Sequence, residues 1–120
     1  MKRIYSLLAA AIMLFMLSSC GAETTAPHTI RIGVALYQQE DTFISTVAKE
    51  LQRAAQEAEQ DGDVKINLYF ADGKGSQTVQ NEQIDRFLDR EYDVICINIV
   101  DRTAAAVIID KAQAADIPVI

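Results

Sequence analysis

From position 29 onward, short apolar runs alternate with segments in which apolar residues recur every three or four positions. Thr29–Tyr37, rich in Ile, Val and Leu, predicts a strand. From Thr42 to about Gln60, Phe43, Val47, Leu51, Ala54, Ala55 and Ala58 keep helical spacing, and Asp41 stands in an N-cap position. Asp61-Gly62-Asp63 stops that helix and turns the chain. Val64–Ala71 predicts a second strand with Ile66, Leu68 and Phe70 on one face. Asp72–Ser76 is a turn-forming loop, and Gln77 to Arg90 reads as a second helix with Gln80, Ile84, Phe87 and Leu88 toward the core. Tyr92–Val100 is apolar enough to be a strand buried on both faces, as parallel strands are. Thr103–Ala115 predicts a third helix, and Ile117-Pro118-Val119-Ile120 begins a fourth strand.

This alternation implies βαβ units, and so an α/β fold with a doubly wound parallel sheet. Right-handed crossovers then place helices on both faces. The expected local strand order is 2-1-3-4, with strands 1 and 3 adjacent at the switch point, outside whose carboxyl ends ligands bind in such sheets. The last residues are an apolar strand with no helix to cover it. An exposed apolar edge is an aggregation liability, so Ile120 is expected to be a premature or artificial end and the domain incomplete.

The other end carries a different pattern. Lys2 and Arg3 precede Ile4–Leu17, an apolar stretch broken only by Ser6. Its length and flanks fit a secretory signal better than a resident span. Leu17-Ser18-Ser19-Cys20 resembles the bacterial lipobox, which implies lipidation of Cys20 as the mature N-terminus. The expected division is therefore a signal peptide at 1–19, a lipidated tether at 20–29 and the α/β domain at 30–120. Removing 1–19 takes away two basic and no acidic residues, leaving nine basic against seventeen acidic, a formal −8. Such a balance excludes the basic footprint of a nucleic-acid binder and polybasic membrane attachment.

Catalytic and metal chemistry find no support. Cys20 is taken by the signal, and Cys96, inside an apolar strand, reads as a small hydrophobe. His28, the one histidine, falls in the tether and is expected to be solvated, so neither a zinc set nor a Ser–His–Asp or Cys–His pairing is available. Gly73-x-Gly75 lacks the Lys-Ser/Thr of a phosphate loop and the full dinucleotide pattern, and reads as a turn. Asp61/Asp63 and Glu57/Glu59 look like a solvated helix end. What remains is a carboxylate (Asp41), a ring (Phe43) and an amide (Asn98) at the carboxyl ends of strands 1 and 3. Each has a plainer reading: an N-cap, a core position, and an amide tying its strand to a loop. Taken singly, each plainer reading holds; together, at the carboxyl ends of two strands, they are candidates for a ligand site.

Several segments carry a family resemblance: Arg31-Ile32-Gly33-Val34, Tyr37, Asp41-Thr42-Phe43, Asn81-Glu82-Gln83-Ile84-Asp85, Ile97-Asn98-Ile99-Val100-Asp101, Ala104-Ala105-Ala106 and Ile117-Pro118-Val119. In these the chain resembles the periplasmic sugar-binding proteins of ABC transporters, most closely the galactose/glucose-binding type. It is less similar to the ribose-binding type around Tyr37 and Ile99-Val100. The resemblance implies the N-terminal domain of that fold. It implies Asp41 as acceptor of sugar hydroxyl hydrogen bonds, Phe43 as the ring stacked on the pyranose, Asn98 as the amide that both donates and accepts, and Tyr37 as a residue lining the cleft. Asp101 fits a helix cap better than a ligand. The loop Gln38-Gln39-Glu40 is more acidic and amide-rich than expected of that type, and the Cys20 anchor departs from its freely soluble members.

The implied function is that of a lipid-anchored, extracytoplasmic substrate-binding component of an ABC importer, a monomer and not an enzyme. It would bind a hexose, galactose or glucose, and dock on the permease after hinge closure. The resemblance assigns the second ring, further polar ligands and a calcium loop to a second domain not found within these 120 residues. If Ile120 were the true end, weak or no sugar binding is expected. No cofactor is implied for residues 30–120. The alternatives are a sugar-sensing protein that feeds a chemoreceptor or sensor kinase, and a truncated remnant without function.

Overall fold

The computed structural model describes residues 26–120. The signal segment, Cys20 and most of the tether lie outside the described residues. The elements follow in the order β1 (His28–Leu36), α1 (Thr42–Ala58), β2 (Val64–Asp72), α2 (Gln77–Asp89), β3 (Val94–Ile97), a 3-10 turn (Arg102–Ala104) and α3 (Ala105–Ala114). The sheet is parallel in the order β2-β1-β3. On the far side of β3, Ile95 makes a parallel bridge to Val119. The Ile95 N–H donates to Pro118 O, and the Ile120 N–H donates to Ile95 O. The fourth strand therefore starts where the order 2-1-3-4 puts it. β1 takes in His28, which pairs with Val64 and keeps its side chain exposed, so the sheet reaches into the segment expected to be tether.

Alternation along the strands sends successive side chains to opposite faces. Val34 and Leu36 pack with Ile44 on one face, joined by Ile32, Leu68, Phe70 and Cys96. Ala35 and Ile95 pack on the other with Ile84, Phe87, Tyr92, Ile108 and Ile117. α1 thus covers one face while α2 and α3 cover the other, the doubly wound arrangement that right-handed crossovers produce. Partial burial pushes the Cys96 thiol above its ordinary pKa, as suits a cysteine packed as a hydrophobe.

Three expectations need correction. Over its first two turns the apolar face of α1 is one residue out of phase with the predicted one: Ile44 and Ala48 meet the sheet in place of Phe43 and Val47, Phe43 turns outward, and Leu51 packs where it was expected. β3 ends at Ile97 instead of Val100, because the backbone groups of Asn98 and Val100 bond to the Gln80 side chain. At its start, Tyr92 belongs to the C-terminal cap of α2: the Tyr92 N–H donates to Phe87 O and the Glu91 N–H to Leu88 O, with Glu91 at φ 52°. Glu59 is more than a solvated helix end, since its carboxylate accepts from the Ile66 N–H, 2.5 Å away, on the edge strand β2.

Two glycines are fixed by close approach. A Cβ on Gly33 would lie 2.5 Å from the Phe87 ring, and one on Gly73 would lie 2.7 Å from Leu36 O. The second contact shapes the carboxyl end of the sheet. It seats the β2–α2 turn on the exit of β1, where the Gly73 N–H donates to Leu36 O and the Gly75 N–H to Tyr37 O.

Candidate functional site

Parallel pairing of β1 with β3 sets Ala35 opposite Ile97, so the residues just past each strand emerge side by side. The Asn98 N–H donates to Ala35 O at 2.9 Å, and Asn98 Oδ1 accepts from the Tyr37 N–H at 3.3 Å. Asn98 therefore does tie its strand to the neighbouring loop, as its plainer reading held. Its side chain is nevertheless exposed, and no partner for Nδ2 is found among the described residues.

Asp41 is the N-cap of α1: Oδ1 accepts from the Ile44 N–H at 3.0 Å. Oδ2 accepts from the Tyr37 hydroxyl at 2.7 Å. The Tyr37 bond, then the Ile44 N–H, lowers the Asp41 carboxyl below its ordinary pKa, and the same contact raises the Tyr37 phenol. An ionised carboxylate has about four acceptor positions. Two are used here, so each oxygen keeps capacity for a further donor. Tyr37, Asp41 and Asn98 thus form one hydrogen-bonded chain across two strand ends, with Phe43 on the adjoining first turn of α1. Phe43 is 73% exposed, so its plainer reading as a core residue is excluded. Gln38, Gln39 and Glu40 are exposed along the rim.

Four supporting side chains went unread or were read too simply in the sequence. Asp72 Oδ1, at the end of β2, accepts from the Gln39 and Lys74 N–H groups, each at 3.0 Å, and so holds the loop leading to Asp41. Those bonds, that of Lys74 first, keep its carboxyl below the usual range. Gln77, Gln80 and Gln83 stand on the inner face of α2. Gln77 Oε1 accepts from the Asp101 N–H at 2.7 Å, Gln80 bonds Asn98 and Val100, and Gln83 Nε2 donates to Asp72 O at 2.7 Å. The available signal was their spacing of three with Gln80 inside an apolar stripe, since a buried amide must find partners. Asp101 caps the 3-10 turn, accepting from the Thr103 N–H at 2.9 Å.

Residues 32–120 match the family described as periplasmic binding protein domain. The chain is 38% identical over 104 residues to the D-galactose/methyl-galactoside binding periplasmic protein MglB of Haemophilus influenzae, a match covering 87% of this chain and 29% of that protein. Among solved structures, a Mycobacterium smegmatis protein in complex with β-D-fucofuranose superposes with a TM-score of 0.64 at 30% identity, over 75% of this chain and 28% of that one. An ABC transporter solute-binding protein from Thermobispora bispora gives a TM-score of 0.64 at 27% identity, again over 75% and 28%. The chain therefore spans less than a third of the length of these relatives.

Proposed function

We propose that this chain, which belongs to the family of periplasmic binding protein domains, supplies one wall of a sugar site in the substrate-binding component of an ABC importer. The observation that carries the reading is the hydrogen-bonded set Tyr37, Asp41 and Asn98 at two adjacent strand ends, beside an exposed aromatic ring. The ligand class is a hexose, galactose or glucose. Its hydroxyls suit the remaining acceptor positions of Asp41 and the donor Nδ2 of Asn98, and charge on the acceptor strengthens such bonds. The C–H face of a pyranose is apolar and suits Phe43. Tyr37 acts through the carboxylate, since its hydroxyl donates to Asp41. The role is capture and delivery without bond chemistry, with a permease as partner.

The extracytoplasmic location follows from the family, and Cys20 is proposed as the lipid anchor to the cell membrane, in a periplasm or on the outer face of the cell. A sensing role for the same site is the alternative, with a chemoreceptor or sensor kinase as partner in place of the permease. Titration calorimetry of the natively expressed protein with D-galactose and D-glucose tests the ligand, and Asp41→Ala tests the site. The expected result is loss of most of the affinity in the variant. Sugar binding unchanged by Asp41→Ala would remove the carboxylate from the site.

A further inference from the structure

Gln80 is fully buried, and each polar atom of its side chain is engaged. Nε2 donates to Asn98 O at 2.9 Å and to Ala35 O at 3.4 Å, and Oε1 accepts from the Val100 N–H at 3.0 Å. These partners are not alike. Ala35 O also accepts from the Asn98 N–H and stays satisfied without Gln80. Asn98 O and Val100 N–H lie beyond the last paired residue of β3 and have lost the strand partners that would otherwise take them. Gln80 stands in for the missing strand. Its amide both donates and accepts, so a single side chain can close both groups.

The position of Gln80 is itself constrained. α2 starts from the turn seated on β1 by Gly73, and a Cβ on Gly73 would lie 3.5 Å from Gln80 Cβ. One turn earlier, Gln77 accepts from the Asp101 N–H, extending the same hold along the loop. One turn later, Gln83 holds Asp72 O. The exits of β2 and β3 are thus both referenced to one helix, and Gln80 touches the exits of β1 and β3 together.

We infer that Gln80 is a positioning residue for sugar recognition: by bonding Asn98 O and Val100 N–H, it ends β3 and sets the direction of the Asn98 side chain. The inference rests on the proposed sugar site. A glutamine that merely filled the core would affect stability and not the contact that Asn98 makes. The Asn98 side chain leaves a backbone bonded on both sides, by its own N–H to Ala35 and by its carbonyl to Gln80. Releasing the second bond lets the peptide rotate and turns Nδ2 away from its hydroxyl.

The test is a double-mutant cycle in the natively expressed protein, with D-galactose affinity read by calorimetry. Asn98→Ala is expected to weaken binding about tenfold, the worth of one good hydrogen bond. Gln80→Met, matched in volume and lacking donor and acceptor, is expected to weaken it about as much. In the Asn98→Ala background, Gln80→Met should add less than about twofold, because the contact is already gone. Equal effects of Gln80→Met in both backgrounds, or none in the parent, overturn the inference. If Asn98→Ala itself leaves affinity unchanged, the sugar-site reading fails instead.

Two readouts do not depend on sugar. The Asn98 side-chain amide resonance should shift in Gln80→Met, and the Val100 amide should be protected from hydrogen exchange in the parent protein although it lies in a loop. An unmoved resonance or an unprotected Val100 amide overturns the positioning role. Gln80→Asn withdraws the amide by one methylene and replaces the Met variant should that one not fold.

Discussion

Truncating Phe43 to alanine should leave folding stability almost unchanged and weaken sugar binding about twentyfold. The residue is 73% exposed on the first turn of α1, and Ile44 beside it takes the buried position. Backbone and Cβ account for much of the covered share and survive the change. The ring's own covered area is then on the order of 20 Å², worth about 0.5 kcal/mol. Alanine returns roughly 0.5 kcal/mol through its higher helix propensity. The unfolding free energy should therefore move by less than about 0.5 kcal/mol, as for an ordinary surface substitution. Binding is different. A large aromatic side chain buries on the order of 200 Å², so one exposed face offers roughly 70 Å² to a sugar. At about 25 cal/mol per Å² that is about 1.8 kcal/mol, or about twentyfold in Kd. Calorimetry with D-galactose and urea denaturation read the two quantities on the same preparation. Affinity unchanged within about twofold refutes the stacking role. A stability loss above about 2 kcal/mol refutes the outward ring, because only a packed phenyl costs that much.

Other outcomes follow from the same geometry. Gly33→Ala drives a methyl into the Phe87 ring, 2.5 Å away, and should lower stability by about 1–3 kcal/mol; an unchanged urea midpoint would place that ring elsewhere. Asp41, Asp72 and Asp101 are held below the ordinary 3.8 by hydrogen bonds from the Tyr37 hydroxyl, the Lys74 N–H and the Thr103 N–H respectively. A group whose folded pKa is lowered stabilises fully above its unfolded value and loses that contribution as pH falls through the folded one. Urea midpoints should therefore be flat near neutrality and fall below about pH 4, with a shallower acid limb in Asp72→Asn. Cys20→Ser should abolish incorporation of labelled fatty acid and move the protein from the membrane to the soluble fraction; continued labelling would refute the anchor.

Much of the fold was legible because period and punctuation agree. The β1, β2 and α2 boundaries fall within two residues of expectation, and β2 is the clearest of them because Asp61-Gly62 precedes it and Gly73 follows it. The strand order was legible from the βα alternation together with the switch-point order common to doubly wound sheets. The phase of the first two turns of α1 was not. Phe43 and Ile44 are both apolar, and spacing gave no reason to prefer one; Val34 and Leu36, on the sheet face that α1 covers, make the choice. The β3 end was hidden for a similar reason. Ile99 and Val100 continue the apolar run, and only a side chain twenty residues earlier stops the ladder. In the site, Asp41 as a cap was readable from its local spacing. The Tyr37 hydroxyl bond to it was not, because a tyrosine ending a strand looks the same whether or not its hydroxyl is engaged.

The division of labour between charge and amide has a physical basis. A carboxylate or ammonium behind these loops would carry a desolvation cost of several kcal/mol and would need a countercharge. A carboxamide closes a carbonyl and an N–H together at no cost in charge. Gln80 does this in full burial, and Gln83 does it in part, its Oε1 being buried without a partner in the structure. In the proposed site the amide scaffold behind Asn98 is thus insensitive to pH, while Asp41, held below its ordinary pKa by the Tyr37 hydroxyl and the Ile44 N–H, would carry the charge offered to a sugar. A neutral polyol is selected by the directions of its hydroxyls, which have little charge to read. Directional rigidity therefore matters more than field strength, and a buried amide helix face behind two strand ends supplies it.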